Sequence, residues 1–385
     1  MLDFEGRLST KLPNVGTSIF AVMSKMANEH HAINLSQGFP DFPVSAELIE
    51  LIHHYMKQGY NQYAPMPGVQ ALRAQIVKKV KDTYGAEYNA DSEITVTAGA
   101  TQAIYTAISA IISEEDEAII FEPAYDSYAP SIRLNGGTVK YARLRLPDYS
   151  IDWVELPRLI THRTKLIIIN TPHNPTGSVL KSSDILQLEA LTKNTDIIVI
   201  SDEVYEHLIF DNLQHESVCK YPELARRSFV IASFGKTFHA TGWKMGYILA
   251  PEKLMNEFRK VHQFNVFTVN TPIQYAIADF ISKKKNYNKL HSFYEQKRDY
   301  FADKIRTSRF RIVPCFGTYF QLLDYRDISD KPEMEFAEEL IKEFGIASIP
   351  VSSFYHDGME SKRLRFCFAK QKETLNKAAE ILCKI

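Results

Sequence analysis

The sequence has few cysteines, no excess of charge of either sign and no long hydrophobic run. Its four cysteines are widely spaced and form no CxxC motif, which argues against a disulfide framework and favours reduced thiols. The formal net charge is -1 and the Lys and Arg residues form no long cluster. Neither nucleic acid nor an anionic membrane is therefore an expected partner, and we expect a small-molecule ligand.

Targeting segments and common binding motifs are also missing. The N-terminal stretch MLDFEGRLSTKLPNVGTSIF has early acidic residues and no continuous apolar region, and no later stretch approaches the length of a membrane span. We therefore predict a cytoplasmic protein. Neither GxGxxG nor GxxxxGK[ST] follows any apolar run, which argues against nucleotide binding. The twelve histidines form no metal-ligand grouping, so we predict no metal site.

The order of apolar runs predicts an α/β fold. Runs such as LIII and IIVI lack polar alternation, which is typical of strands buried on both faces, and amphipathic segments separate them. We predict a large domain over residues 46–280, with a mostly parallel central sheet flanked by helices. The spacing of the predicted strands and helices changes after this region, so residues 281–385 are predicted to form a smaller α+β domain. Residues 1–45 are predicted to be an N-terminal arm that contributes to this small domain.

Polar residues follow several predicted strands, where ligands bind in an open parallel sheet. After EITV, the segment GAT could hold an anion at the positive end of a helix, or it could be an ordinary strand-to-helix turn with Thr101 as the cap. Asp202 follows IIVIS and could either bind a ligand or cap the next helix. Asn174, in NTPHNPTG, could equally belong to a tight turn.

One lysine makes the combination more specific. Lys236 follows the apolar run SFVIA, where a surface lysine is not expected. A lysine, a carboxylate, an amide, a phenol and an anion cradle at neighbouring strand ends are what pyridoxal 5'-phosphate requires. Lys236 would form the Schiff base with this cofactor, and Asp202 would keep the pyridine nitrogen protonated. Asn174 and Tyr205 would hydrogen-bond to the phenolic oxygen of the ring.

The ordered motifs NPTG, SDEVY, SFGKT, TGWKMGY and LRFCFA resemble those of the class I and II aminotransferases of pyridoxal-phosphate fold type I. The resemblance extends from NLSQGFPDFP to the C-terminus. It implies phosphate contacts from five residues: Gly99, Ala100, Thr101, Ser233 and Lys244. It also implies that Tyr125 stacks on the cofactor ring. Tyr63 is implied to reach the phosphate of a neighbouring subunit, which predicts a homodimer with shared active sites. For both tyrosines, packing in the core is the alternative.

The resemblance also implies a site for the substrate. Arg365 is implied to clamp the α-carboxylate, with Gly38 and Asn174 beside it, since a planar guanidinium suits this bidentate task. Arg363, on the same predicted strand, is the alternative if the register differs. Lys244 departs from the arginine found in many aspartate and tyrosine transaminases. The subgroup that acts on glutamine, kynurenine and methionine shares this lysine.

The implied reaction moves the amino group of an amino acid to a 2-oxo acid by a ping-pong mechanism. The stretch VHQFNVFTVNTP lacks the second arginine of dicarboxylate-specific relatives. Phe20 and Phe267, with Tyr60, would line an apolar pocket, or else pack in the core. These features favour methionine, another apolar or aromatic amino acid, or glutamine. The alternatives are a kynurenine or glutamine transaminase, a carbon-sulfur β-lyase acting on cysteine conjugates, and a binding protein that keeps the fold without turnover.

Overall fold

A computed structural model of the protein describes residue 6 and residues 8–385; the predicted arm's residues 1–5 and 7 lie outside this part. The strands of the described part are β1 (Ile33–Asn34), β2 (Ile94–Thr97), β3 (Glu117–Glu122), β4 (Thr138–Arg143), β5 (Thr164–Asn170), β6 (Ile198–Asp202), β7 (Ser228–Ser233), β8 (Gly246–Leu249), β9 (Arg311–Ile312), β10 (Phe320–Asp324), β11 (Ile346–Ala347), β12 (Ile349–Pro350) and β13 (Arg363–Cys367). Its helices are α1 (Ile19–Glu29), α2 (Ala46–Lys57), α3 (Gln70–Tyr84), α4 (Gly99–Ile111), α5 (Tyr128–Leu134), α6 (Leu156–Leu159), α7 (Ser182–Thr192), α8 (Pro222–Ala225), α9 (Phe234–Thr237), α10 (Glu252–Asn265), α11 (Thr271–Ile281), α12 (Leu290–Ile305), α13 (Glu333–Lys342) and α14 (Lys372–Leu382).

The central sheet that the described residues form has seven strands, in the order β2-β8-β7-β6-β5-β3-β4. Its neighbouring pairs are parallel except for the two that β8 makes with β2 and β7. Both faces of the sheet are covered. In β5, Leu166 and Ile168 pack into one apolar cluster, while Ile167 and Ile169 pack into another on the opposite face. The apolar LIII run is therefore required on both faces, and the predicted mostly parallel α/β sheet is confirmed.

Helices supply the other half of each apolar cluster. On one face, Ile104 and Ile108 of α4 join the cluster that contains Leu166 and Ile168. On the other face, α3 and α11 contribute apolar residues such as Leu72, Ile76 and Ile277. Each helix thus buries one stripe against the sheet, as an amphipathic crossover helix does.

A second group of elements builds a separate core. Strands β12, β13, β10 and β9 form an antiparallel sheet in that order, and β1 pairs in parallel with β11. Met23 and Ala27 of α1 pack into the same apolar cluster as Phe336 of α13 and Leu375 of α14. N-terminal elements therefore pack with the C-terminal part of the chain. The domain boundaries at residues 45 and 280 stay a prediction.

One edge of the central sheet positions the candidate site. Asn170 at the end of β5 lies directly beside Asp202 at the end of β6, and Ser233 ends the next strand, β7. Because β8 runs in the opposite direction, it begins at this same edge with Gly246. A Cβ atom at Gly246 would lie 2.7 Å from the carbonyl oxygen of Ala232, so a glycine is needed for the strands to meet here.

Three further findings concern membrane-spanning helices, metal sites and cysteines. Within the described residues, none of the helices is both long and apolar enough to cross a membrane. In the same part of the chain, no group of three His, Cys, Asp or Glu side chains could hold a metal ion. The four cysteines are free thiols, and Cys383 is the exposed one.

Candidate active site

A cavity of about 320 Å³ opens at the edge of the central sheet where β2, β5, β6 and β7 end. Most of the residues predicted from the sequence to form the site line it: Phe20, Gly38, Gly99, Ala100, Thr101, Tyr125, Asn174, Asp202, Tyr205, Ser233, Lys236, Lys244 and Arg365. They come from both sheets and from α1, so the cavity lies between the central sheet and the second core. Tyr63 and Phe267 do not line it.

Lys236 enters the cavity from the short helix α9, directly after β7. The hydroxyl of Ser233 accepts a hydrogen bond from the backbone N–H of Lys236 over 3.3 Å and so caps this helix. The lysine Nζ donates to the carbonyl oxygen of Gly38 at 3.1 Å and to the hydroxyl of Tyr319 at 3.0 Å. Burial lowers the pKa of Lys236 to about 8, and the nearby positive charge of Arg365 acts in the same direction. A larger fraction of this lysine is therefore in the neutral amine form at neutral pH than is the case for a surface lysine.

Asp202 is a buried carboxylate at the end of β6. Burial raises its pKa to about 6, against the opposing effect of a 2.6 Å hydrogen bond that Tyr128 donates to Oδ2. Its Oδ1 accepts from the N–H of Val204 at 3.3 Å. The residues that follow form a turn and not a helix, so the alternative role of Asp202 as a helix cap is wrong. Tyr205, in this turn, is also buried and lines the same cavity.

The segment GAT begins a true helix. Helix α4 starts at Gly99, whose φ of 77° lies in the left-handed region that favours glycine. The N-cap position is Ala98, and the Thr101 hydroxyl lies 3.3 Å from the hydroxyl of Tyr125, so the interpretation of Thr101 as the cap is wrong. The first N–H groups of a helix have no partner within it and attract anions. Lys244 packs against Gly99: a Cβ atom at position 99 would lie 3.6 Å from Cε of the lysine.

Arg365 is fully buried at the centre of β13. Its Nη1 donates to Oδ1 of Asn174 at 2.7 Å and its Nη2 donates to the carbonyl oxygen of Ser36 at 2.9 Å. Nε has no hydrogen-bond partner, and no carboxylate of a described residue forms an ion pair with this guanidinium within 4.0 Å. Burial lowers the pKa of Arg365 to about 10. A buried guanidinium without a carboxylate partner is suited to bind one from a ligand.

Arg363 occupies a different environment on the same strand. Its guanidinium carbon lies 5.0 Å from the ring centre of Tyr149, and its Nε is 3.8 Å from Oδ2 of Asp324. It does not line the cavity. The geometry therefore favours Arg365 over Arg363 as a carboxylate ligand.

Tyr63 and Phe267 lie outside the cavity and contact each other. Their ring centres are 5.6 Å apart in an edge-to-face arrangement, with Tyr63 85% exposed and Phe267 45% exposed. The core-packing alternative for Tyr63 is therefore wrong. Tyr60 also lies outside, where it packs on Tyr275 at 4.5 Å. Phe267 and Tyr60 are predicted from the sequence to form an apolar wall of the pocket. Neither lines the cavity formed by the described residues of this chain, because both side chains lie outside it.

Sequence reasoning missed several residues that line or support the cavity. Asn170 donates from Nδ2 to the carbonyl oxygen of Asp202 at 2.9 Å, and its position at the end of the KLIIIN run was a usable signal. Tyr128, which donates a hydrogen bond to Asp202, begins helix α5 after the loop that follows β3. Tyr319 directly precedes β10, Phe320 is the first residue of that strand, and Phe39 comes from the loop after β1. Only tertiary packing brings these three to the site.

The fold and the cavity together point to a class of enzyme, because an α/β protein brings a half-buried lysine amine, a buried carboxylate and the N-terminus of helix α4 to one sheet edge. Residues 30–382 match the family described as aminotransferase class I and II, and the chain belongs to this family. It is an aminotransferase of fold type I. The methionine aminotransferase of Escherichia coli strain K12 is 50% identical over 374 residues, covering 97% of each chain. A crystal structure from Escherichia coli, described as identifying a methionine aminotransferase function, superposes with a TM-score of 0.97 at 49% identity, covering 98% of this chain and 100% of that one. Human kynurenine–oxoglutarate transaminase 1 is 32% identical and is covered over 94% of both chains.

Proposed function

We propose that this aminotransferase binds pyridoxal 5'-phosphate at Lys236 and moves the amino group of L-methionine, or of another apolar or aromatic amino acid or glutamine, to a 2-oxo acid. One observation carries the proposal: a single cavity holds a half-buried lysine amine, a buried carboxylate and a buried guanidinium without a carboxylate partner. The 50% identity to a methionine aminotransferase supports the choice of methionine.

The residues present fit the cofactor. Helix α4 offers its free N–H groups at Gly99, Ala100 and Thr101 to the phosphate, with Ser233 and Lys244 beside them. Asp202, held by Tyr128, would keep a proton at the pyridine nitrogen. Asn174 and Tyr205 would bind the phenolic oxygen, and Tyr125 would cover one face of the ring. When bound, the cofactor supplies an aldehyde for the amine and a ring that withdraws electrons from the substrate.

The remaining side chains act on the substrate. Arg365 binds the α-carboxylate through its free donor capacity, and Gly38 and Asn174 line the same place. As a free amine, Lys236 would take the proton from the α-carbon of the substrate and give it back on the far side of the amino nitrogen; its lowered pKa suits it to both roles near neutral pH. The phenyl ring of Phe20 lies 5.2 Å from the guanidinium carbon of Arg365, where it would contact the substrate side chain.

The cavity favours an uncharged substrate side chain. Of the described residues that line it, Arg365 is the only arginine. It already serves the α-carboxylate in this proposal, so the lining residues of this chain offer no second guanidinium for another carboxylate. This supports methionine and aromatic substrates over aspartate.

The proposed assembly is a homodimer with shared active sites. Tyr63 and Phe267 are exposed apolar side chains that contact each other at the surface, and Phe267 has a φ of 67°, which is strained for a bulky residue. Both are proposed to complete the cavity of the partner subunit, Tyr63 at the phosphate and Phe267 at the substrate side chain. A cytoplasmic location is a further part of this proposal.

The test is a half-reaction followed by visible absorbance. The protein is loaded with pyridoxal phosphate, and L-methionine is added without any 2-oxo acid. The proposal predicts loss of the yellow band and release of one equivalent of the oxo acid of methionine per subunit. A protein that stays colourless with the cofactor would contradict the role of Lys236. A yellow protein that converts other amino acids but leaves methionine unchanged would redirect the substrate assignment, and pyruvate with ammonia released from a cysteine conjugate would favour the β-lyase.

A further inference from the structure

We propose that Tyr319 is a positioning residue for Lys236. The hydroxyl of Tyr319 accepts a hydrogen bond from the free lysine amine and so holds the amine next to the loop that carries Gly38. This inference rests on the proposed function, because it concerns the state in which Lys236 is not bonded to the cofactor. It adds to the site a residue from outside the central sheet.

Three polar atoms meet at this point. Nζ of Lys236 donates to the Tyr319 hydroxyl at 3.0 Å and to the Gly38 carbonyl oxygen at 3.1 Å. The Tyr319 hydroxyl in turn donates its own proton to the same Gly38 carbonyl. The lysine amine therefore donates to two neutral oxygens, and a hydrogen bond also joins the groups that carry these two oxygens. Hydrogen-bond acceptors of this kind favour the ammonium form.

The surroundings keep Tyr319 neutral and fixed. Its side chain is completely buried, and burial raises the pKa of its phenol well above the ordinary value. Its ring packs edge-to-face against Tyr205, with ring centres 5.1 Å apart, and in a tilted arrangement against Tyr294, with ring centres 5.8 Å apart. With its proton committed to Gly38, the hydroxyl oxygen has lone pairs left for the ammonium group. The lysine thus donates to an acceptor whose side chain is held in place by burial and ring packing.

The same segment also touches the carboxylate clamp. Phe320, next to Tyr319, lies 3.9 Å from the guanidinium carbon of Arg365. A Cβ atom at Gly38 would lie 2.8 Å from Cζ of Phe320, so the loop and the ring are in close contact. Tyr319 and Phe320 together set the distance between the group that moves the proton and the group that binds the substrate carboxylate.

A purely structural role for Tyr319 is the competing explanation, and the chain offers a matched control. Tyr294 is equally buried and packs in the same aromatic cluster, but its hydroxyl has no hydrogen-bond partner among the described residues. Tyr294→Phe removes a buried hydroxyl without touching Lys236. Tyr319→Phe removes one that binds it.

The experiment measures the pKa of Lys236 in the full-length protein freed of cofactor. The protein is labelled competitively with acetic anhydride between about pH 6 and about pH 10, and acetylation of the Lys236 peptide is quantified by mass spectrometry. Loss of one acceptor destabilises the ammonium form, so in Tyr319→Phe we expect the pKa of Lys236 to fall by about one pH unit. After reloading, kcat is expected to fall about tenfold because the amine is less well placed. In Tyr294→Phe both quantities stay at their wild-type values.

Three results would overturn the inference. They are an unchanged pKa of Lys236 in Tyr319→Phe, an equal shift in Tyr294→Phe, or loss of folded protein in Tyr319→Phe alone, since the last would assign the hydroxyl to stability. Failure of the proposed function is read separately: borohydride reduction of the loaded wild-type protein would then leave Lys236 unmodified.

Discussion

Nη1 of Arg365 donates a 2.7 Å hydrogen bond to Oδ1 of Asn174, and this contact joins the two sheets across the cavity. Asn174 follows β5 of the central sheet, whereas Arg365 lies on β13 of the antiparallel sheet. The proposed clamp for the substrate is thereby oriented by a residue proposed to touch the cofactor. This contact and the one from Nη2 to Ser36 use two of the five N–H groups of the guanidinium, so Nε and one N–H on each of Nη1 and Nη2 remain available for a ligand carboxylate.

The first prediction concerns this clamp. Arg365→Lys should raise KM for L-methionine about 100-fold, since a lysine cannot replace the planar, charge-assisted pair of hydrogen bonds. Steady-state kinetics with a fixed 2-oxo acid measures the effect. Arg363→Lys, on the same strand but against Tyr149, serves as the control and should change KM less than about threefold. A larger effect at Arg363 than at Arg365 would place the carboxylate elsewhere.

Asp202→Asn should separate activity from stability. An amide cannot hold the proton at the pyridine nitrogen, so kcat should fall about 1000-fold. The cofactor-free protein should instead gain stability at pH 7. Because burial raises the pKa of Asp202 to about 6 from the ordinary 3.8, the folded state binds more protons than the unfolded state between these values. Its contribution to stability is present below about pH 4 and is lost as the pH rises through about 6.

Urea denaturation of the cofactor-free protein measures this second effect. The variant should be more stable than the wild type at pH 7 by up to about 3 kcal/mol, and the difference should shrink towards pH 4. Tyr128 can still donate its hydrogen bond to the asparagine oxygen. A variant that is less stable at pH 7 would show that Asp202 is not a strained charge in the empty cavity.

Mixed dimers test the proposed sharing of active sites. Lys236→Ala subunits should be inactive, and Tyr63→Ala subunits should bind the cofactor weakly. When both are refolded together, each mixed dimer contains one site with native Lys236 and Tyr63 of the partner subunit, so activity should rise above that of either variant. Lys236→Ala mixed with Asp202→Asn is the control, because those two residues line the same cavity and no native site can form. Equal results for the two mixtures would contradict sharing.

A buried ion pair that involves Glu206, the residue after Tyr205, gives a prediction about stability. Lys79 and Glu206 lie 2.7 Å apart, and both side chains are 4% exposed. Burial alone would raise the pKa of Glu206, yet the charge of Lys79 lowers it to about 2. Lys79→Met would leave a buried carboxylate unpaired and should reduce the free energy of unfolding by about 3–5 kcal/mol. The exposed pair of Lys81, which lies on the same helix α3 as Lys79, and Glu87 offers the control.

Lys81→Met should leave the free energy of unfolding close to the wild-type value, because its side chain is 61% exposed and its partner 74% exposed, where solvent screens the pair. Denaturant titration at neutral pH compares the two variants directly. Similar losses in both would mean that burial does not control the strength of these pairs.

Sequence reasoning located the cavity residues whose position follows from local chain order. Lys236, Asp202 and Asn174 could be predicted because each follows an apolar run, and parallel strands bring such positions to one edge. It failed for Tyr319, which reaches the same cavity from the segment before β10. That approach depends on how the two cores pack, and no local pattern specifies it. Phe267 illustrates the same limit, since its place beside Tyr63 on the outer surface depends on loop conformation after α10.

The most direct measurement is borohydride reduction of the loaded protein, followed by mass spectrometry of its peptides. The account predicts that the phosphopyridoxyl group is found on the peptide that contains Lys236. Pretreatment with L-methionine in the absence of a 2-oxo acid should abolish this label, because the substrate amine displaces the lysine. A label on another lysine, or none, would contradict the assignment of the site. A label on Lys236 that methionine leaves unchanged would contradict the substrate.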